Sequence, residues 1–219
     1  MRRWNTFSVL ARKPIPVAGV AVRRGLVLLC LPLLAACAGS RGAGMAVAHY
    51  DLGPPRPVAT AGFPLRTVEV QGASWLGTPA MQYRLRYADG ARREAYAQSR
   101  WVAPPAQLLE AALQRDLLGA PAAGGCRLRV ELDEFIQTFD SERDSQAVIE
   151  ARFVLKTLRS DAPLARHAVR LEKPAASADA RGGALAFTGL AAELGQAATS
   201  WLRQRAAEDA ALVQRCSAG

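Results

Sequence analysis

Cys126-Arg127-Leu128-Arg129-Val130-Glu131-Leu132-Asp133-Glu134-Phe135-Ile136-Gln137-Thr138-Phe139 is the stretch whose reading decides the fold. Leu128, Val130 and Leu132 alternate with Arg127, Arg129, Glu131 and Asp133, the period of two that buries one face of a β-strand. Phe135 and Phe139 then fall on the opposite parity, which predicts one extra residue, a bulge, near Asp133. Residues 140–146 form a polar turn, and Ile149, Ala151, Phe153 and Leu155 mark a second strand. Ala165, His167, Val169 and Leu171 mark a third. Phe187, Leu190, Ala191, Leu194, Ala198, Trp201 and Leu202 then recur at helical spacing over 184–207.

The first half follows the same order. Val68 and Val70 share one face of a strand starting at Leu65, and Met81, Tyr83, Leu85 and Tyr87 alternate with Gln82, Arg84 and Arg86. Asp89-Gly90 is a turn signal before a return strand over Glu94–Trp101. Pro104-Pro105 stops the sheet and opens a helix carrying Leu109, Ala112, Leu113 and Leu117 on one side. Strands, helix, strands, helix predict an α+β fold: a two-layer sandwich with a largely antiparallel sheet and helices packed on one face.

Ahead of this domain stands Leu34-Ala35-Ala36-Cys37, which resembles a bacterial lipoprotein signal. Arg12, Lys13, Arg23 and Arg24 precede an apolar run from Leu26 to Leu34, well short of the roughly 20 residues of a spanning helix. The organisation read from the sequence is therefore a signal peptide (1–36), a Gly-, Ala- and Pro-rich tether (37–60) and one domain (61–219), with lipid on Cys37. Within the tether, Tyr50-Asp51-Leu52-Gly53-Pro54 is an ordered island able to dock as an edge strand. Ala38 is not the aspartate that retains many Gram-negative lipoproteins at the inner membrane, so the signal implies the periplasmic face of the outer membrane.

The chain of 219 residues has a formal charge of +9, but six of its 28 Lys and Arg precede Cys37 and all 19 acidic residues follow it. The excess falls to +3 beyond the signal, which removes the case for a nucleic-acid partner. Of four cysteines, Cys30 leaves with the signal and Cys37 carries lipid. Cys126 and Cys216 remain, as a disulfide in an oxidising compartment or as two unpaired thiols.

Several segments in order resemble the PqiC-like family of ABC-type transport auxiliary lipoproteins: the lipobox, Tyr50-Asp51-Leu52-Gly53-Pro54, Ser74-Trp75-Leu76, Tyr83-Arg84-Leu85-Arg86-Tyr87, Arg100-Trp101-Val102-Ala103-Pro104-Pro105, and 129–135. The resemblance implies a non-enzymatic outer-membrane lipoprotein. Its partner would be the MCE-domain protein of a lipid-carrying ABC system, with a ring-like homo-oligomer as a further implication. A phosphate-binding Gly-x-x-x-x-Gly-Lys-Ser/Thr loop does not occur in the sequence, so energy would come from a partner ATPase. An envelope scaffold that stimulates peptidoglycan synthesis is the alternative.

Trp75 and Trp101, at strand ends beside turn or proline residues, are candidate partner anchors or else seals of the core edge. Arg84 and Arg86, facing away from Tyr83 and Tyr87, are candidates, with Arg66, Arg92, Arg93 and Arg100, for a basic sheet face toward an acidic partner or lipid phosphate, or else an ordinary solvated face. His49 and His167 have no evident nucleophile or carboxylate partner, His167 reading as a partly buried packing residue. The sequence offers no catalytic, cofactor or metal residues.

Overall fold

The computed structural model describes residues 46–54, 62–118 and 124–217. The signal peptide, Cys37 and most of the tether lie outside the described residues. The elements, in chain order, are β1 (Ala48–Tyr50), β2 (Leu65–Gly72), a 3-10 turn (Ser74–Leu76), β3 (Ala80–Leu85) and β4 (Glu94–Trp101). There follow α1 (Pro105–Leu117), β5 (Cys126–Phe139), β6 (Ser145–Thr157), β7 (Pro163–Pro174), α2 (Ala180–Glu208) and α3 (Ala210–Ser217). One seven-stranded sheet runs in the order β1-β4-β3-β5-β6-β7, with β2 also paired to β5. It is mixed but mostly antiparallel, because the long β5–β6 and β6–β7 ladders outweigh the parallel β1–β4, β2–β5 and β3–β5 pairs.

β5 is the spine. Its register with β6 shifts between Leu132 and Glu134, at the expected bulge. Before the shift, Leu128, Val130 and Leu132 are buried; after it, Phe135, Gln137 and Phe139 take over the buried parity. The same strand edge serves two partners, β2 along Cys126–Leu132 and β3 along Gln137–Phe139. β2 thus leaves the sheet where the bulge lies, and β3 joins beyond it.

The helices bury one stripe each in a single core cluster. Leu109, Leu113 and Leu117 of α1 and Phe187, Leu190, Leu194, Ala198 and Leu202 of α2 meet Leu128, Val130, Leu132, Phe135, Ile149, Phe153 and Leu155 of the sheet. α1 also protects the free edge of β2: Val70 N–H donates to Glu110 Oε2 at 2.8 Å, and Gln114 Nε2 donates to the Val68 carbonyl at 3.0 Å. An edge capped this way offers no template to another strand.

A buried polar knot fixes α2. Gln137, 1 % exposed, donates from Nε2 to Ser145 Oγ (2.8 Å) and to the Asp179 carbonyl (3.1 Å), while its Oε1 accepts from Tyr96 O–H (3.0 Å). Gly183 permits the approach, since a Cβ there would lie 2.0 Å from Gln137 Oε1. Asp179 caps the helix by accepting from Gly182 N–H at 2.7 Å. That bond, together with the Ser177 hydroxyl, holds the Asp179 carboxyl below its usual range. Burial pushes the Tyr96 phenol up.

Two boundaries differ from the sequence expectation. The Tyr50 island does form an edge strand, β1, parallel to β4, so the compact unit starts at Ala46 and not beyond a tether ending at residue 60. α2 begins at Ala180 because Asp179 supplies a cap that Gly182-Gly183, poor helix formers, obscure in the sequence. The chain then closes with α3, where Leu212 and Cys216 are buried and Leu212 N–H donates to Asp209 Oδ1 at 2.9 Å.

Cys126 and Cys216 are bonded, with Cα atoms 4.9 Å apart and 90 residues between them in sequence. The bond staples α3 to the start of β5. Closing a loop of that length constrains the unfolded chain by about 4 kcal/mol in the chain-entropy treatment. Replacing both cysteines by serine should lower the urea midpoint, with a stability loss of about 2–4 kcal/mol and a steeper slope because the freed unfolded chain exposes more surface, whereas an unmoved midpoint would show that the staple carries no stability.

Candidate functional site

The face of the sheet away from the helices is built by the outward residues of β3, β4 and the second half of β5. Because the bulge advances the chain by one residue, Glu134 stands on this face beside the β3–β4 hairpin. Arg93 donates from Nη2 to both Glu134 oxygens (2.9 and 2.7 Å) and from Nη1 to Gln82 Oε1 (2.6 Å). Arg84 Nη2 lies 3.6 Å from the same carboxylate. Gln82 Nε2 in turn donates to the Trp75 carbonyl at 2.8 Å, and the Arg93 guanidinium sits 6.0 Å from the centre of the Trp75 ring.

These contacts form a closed circuit from Trp75 through Gln82, Arg93 and Glu134. Its product is an indole presented to solvent, 53 % exposed, on a turn whose backbone and ring face are both restrained. A rigid exposed aromatic is the residue type that anchors protein interfaces, since little rotamer freedom is lost on docking. Tyr87, at the end of the same hairpin strand, is also exposed.

The arginines of this face are paired. Arg86 Nη1 is 3.2 Å from Asp140, and Arg92 Nε is 3.1 Å from Glu94. Arg152 donates to both Asp133 oxygens, and Arg170 pairs with Glu150 and Glu172. Glu94 also accepts from the Tyr83 hydroxyl at 2.8 Å, a bond that raises the Tyr83 phenol. Arg84 and Arg86 therefore belong to a neutralised ionic lattice and do not form a bare basic patch. Such a lattice gives register and direction to an approaching partner more than attraction.

Trp101 is a correction. Expected as a candidate partner residue, it is 2 % exposed and lies edge-on to Phe135 (5.5 Å between ring centres) and Phe187 (5.6 Å), which stack on each other at 4.0 Å. Its place on the helix face follows a register shift of β4 against β3 between Ala80 and Gln82, and β1 covers the strand edge beside it. His167 also differs: it is exposed on edge strand β7, its ring stacked 6.0 Å from Trp201. Among the described residues no group of three or more His, Cys, Asp or Glu side chains could hold a metal ion.

Trp75, Arg84 and Arg86 are thus brought to one face. Arg93, read from sequence only as one more residue of the basic face, completes it together with Gln82 and Glu134, whose part in it the sequence reading did not give. The outward parity of Gln82 was readable; the side on which Glu134 stands follows only from where the bulge sits.

The profile of ABC-type transport auxiliary lipoprotein components matches residues 50–199. The chain belongs to that family. Its members are auxiliary transport components and membrane-anchored lipoproteins; among the described residues no helix is long and apolar enough to cross a membrane. Among solved structures, the chain is similar to protein XCC0632 from Xanthomonas campestris, of the DUF330 family. The TM-score is 0.60 at 15 % identity, covering 74 % of this chain and all of that one. An uncharacterized protein gives 0.50 at 14 % identity, covering 73 % and 98 %. At such identities the likeness shows the fold. No curated protein sequence matches the chain.

The two tryptophans should separate cleanly. Trp101→Ala should cost about 3–5 kcal/mol in urea unfolding, the range for emptying an aromatic site in a core. Trp75→Ala should cost no more than about 1 kcal/mol, the scale of an exposed cation–π contact. Equal losses would contradict the assignment of one to the core and the other to the surface.

Proposed function

We propose that this family member is an outer-membrane lipoprotein, acylated at Cys37 and facing the periplasm. In this reading it serves an ABC-type system whose MCE-domain protein carries lipid between the envelope membranes. The domain acts by docking: it holds one end of the lipid carrier at the membrane while a partner ATPase supplies energy. Trp75 is the anchor, and Arg84 and Arg86, in their ionic lattice, set the orientation.

The observation that carries the reading is the circuit from Gln82, Arg93 and Glu134 that restrains an exposed indole. Structural economy alone gives no reason to keep a large apolar ring in water. The lipobox resemblance and the membership of an auxiliary lipoprotein family support a stationary adaptor that carries such a surface at a membrane, beside a transporter. A homo-oligomer would multiply the anchor and raise avidity.

The test is recovery of partners by the lipidated protein from envelope membranes, with metabolic palmitate labelling run in parallel. Palmitate should enter the wild-type chain and not Cys37→Ser. An MCE-domain protein should be recovered with the wild type, and Trp75→Ala should reduce that recovery by about thirtyfold, the loss expected of an aromatic hot spot. Recovery of a peptidoglycan synthase without an MCE protein would overturn the assignment, as would full recovery with Trp75→Ala.

A further inference from the structure

Around β1 the surface changes character. Arg100, Arg115 and Arg181 are exposed and form no salt bridge among the described residues, in contrast to the paired arginines of the β3–β4 face. All three border the segment where the chain enters the domain. Arg100 is the register partner of His49. Arg115 lines a small cavity with Leu52, Gly53 and Pro54, and Arg181 lines a groove of about 280 Å³ with Tyr50 and Leu185. Three carboxylates lie nearby without reaching ion-pair distance: Asp116, 8 % exposed, feels the charge of Arg115, Asp179, which caps α2, feels that of Arg181, and Asp51 accepts from Gly53 N–H at 2.8 Å.

Apolar side chains flank the same segment. Val47 precedes β1, Val102 donates its N–H to the Tyr50 carbonyl at 2.8 Å, and Leu185 opens onto the groove. They are 39, 56 and 61 % exposed, three of the six large apolar residues left on the surface of the described residues. Unpaired arginines among exposed aliphatic side chains make the composition of a membrane-interface surface.

Chain length supplies the occupant. Ten residues separate Cys37 from Ala48, so β1 cannot stand more than about 35 Å from lipid on Cys37 even with that segment fully extended. Charges act on a membrane only within a screening length of about 8 Å, so unpaired arginines gain from the tether only by touching the surface. We infer that the surface around β1, formed by Arg100, Arg115, Arg181, Val47, Val102 and Leu185, rests on the bilayer and binds the phosphates of anionic phospholipid. The inference deepens the proposed function and rests on acylation at Cys37.

The experiment uses the lipidated protein in vesicles of phosphatidylethanolamine and phosphatidylglycerol, with a photo-crosslinker placed by Leu185→p-benzoylphenylalanine or Leu158→p-benzoylphenylalanine. Leu158 is an exposed control in the β6–β7 turn. The mass of the N-terminal peptide reports acylation independently. For acylated protein, position 185 should give about tenfold more lipid adduct than position 158. Replacing phosphatidylglycerol by phosphatidylcholine, or introducing R100Q, R115Q and R181Q together, should lower the adduct at 185 by about fivefold or more. Equal adducts at the two positions in acylated protein would overturn the inference and leave the proposed function standing. Adducts at 185 to protein in envelope membranes, without lipid adduct, would assign the surface to a protein partner and overturn it equally. Absence of acylation would sink both.

Discussion

The one-residue slip at Asp133 is the constraint from which the rest of the domain follows. A strand without it would present a single parity to the helices along its whole length, and Phe135, Gln137 and Phe139 would change places with Ile136 and Thr138, which are buried on the other face. With it, β5 keeps an apolar face under α2 from end to end while bending enough for β2 and β3 to share one edge. The extra residue also has a partner of its own, since Asp133 is held by both donors of Arg152. Core and surface are therefore set by the same irregularity. Moving Phe135 inward necessarily moves Glu134 outward, toward Arg93.

That coupling explains how a small domain can hold an exposed indole in a fixed position. The indole of Trp75 rests on a guanidinium already fixed by a shared carboxylate, so its ring is ordered before any partner arrives. Binding then pays little further entropy. Elsewhere the domain closes its vulnerable edges: α1 caps β2 with side chains, and the disulfide secures the last helix. β1, the first described element, is only three residues long. Its neighbourhood is left ionically open, which suits contact with phosphate, whereas the Trp75 face is ionically closed, which suits a shaped protein surface.

Most of the fold was legible because its elements are strongly periodic. Alternation located β2 through β7, Pro104-Pro105 marked the start of α1, and the parity change after Leu132 placed the bulge. What the sequence withheld was three-dimensional. The parallel pairing of β2 and β3 on one strand leaves no local signature. α3 is a short helix whose order comes from Asp209 and the disulfide, not from an apolar stripe long enough to read. The two tryptophans show the limit for the site: both sit beside turn or proline residues, and only the β3–β4 register and the packing on Phe135 and Phe187 show that Trp101 is inside. Arg84 and Arg86 were readable as outward, but their pairing with Glu134 and Asp140 depends on strands distant in sequence.

The most direct measurement of the central claim, that the bulge builds the platform by bringing Glu134 to Arg93, is a double-mutant cycle on stability using Arg93→Ala, Glu134→Gln and the pair. A coupling energy of about 1–3 kcal/mol is the predicted result. Additivity to within about 0.5 kcal/mol would contradict it.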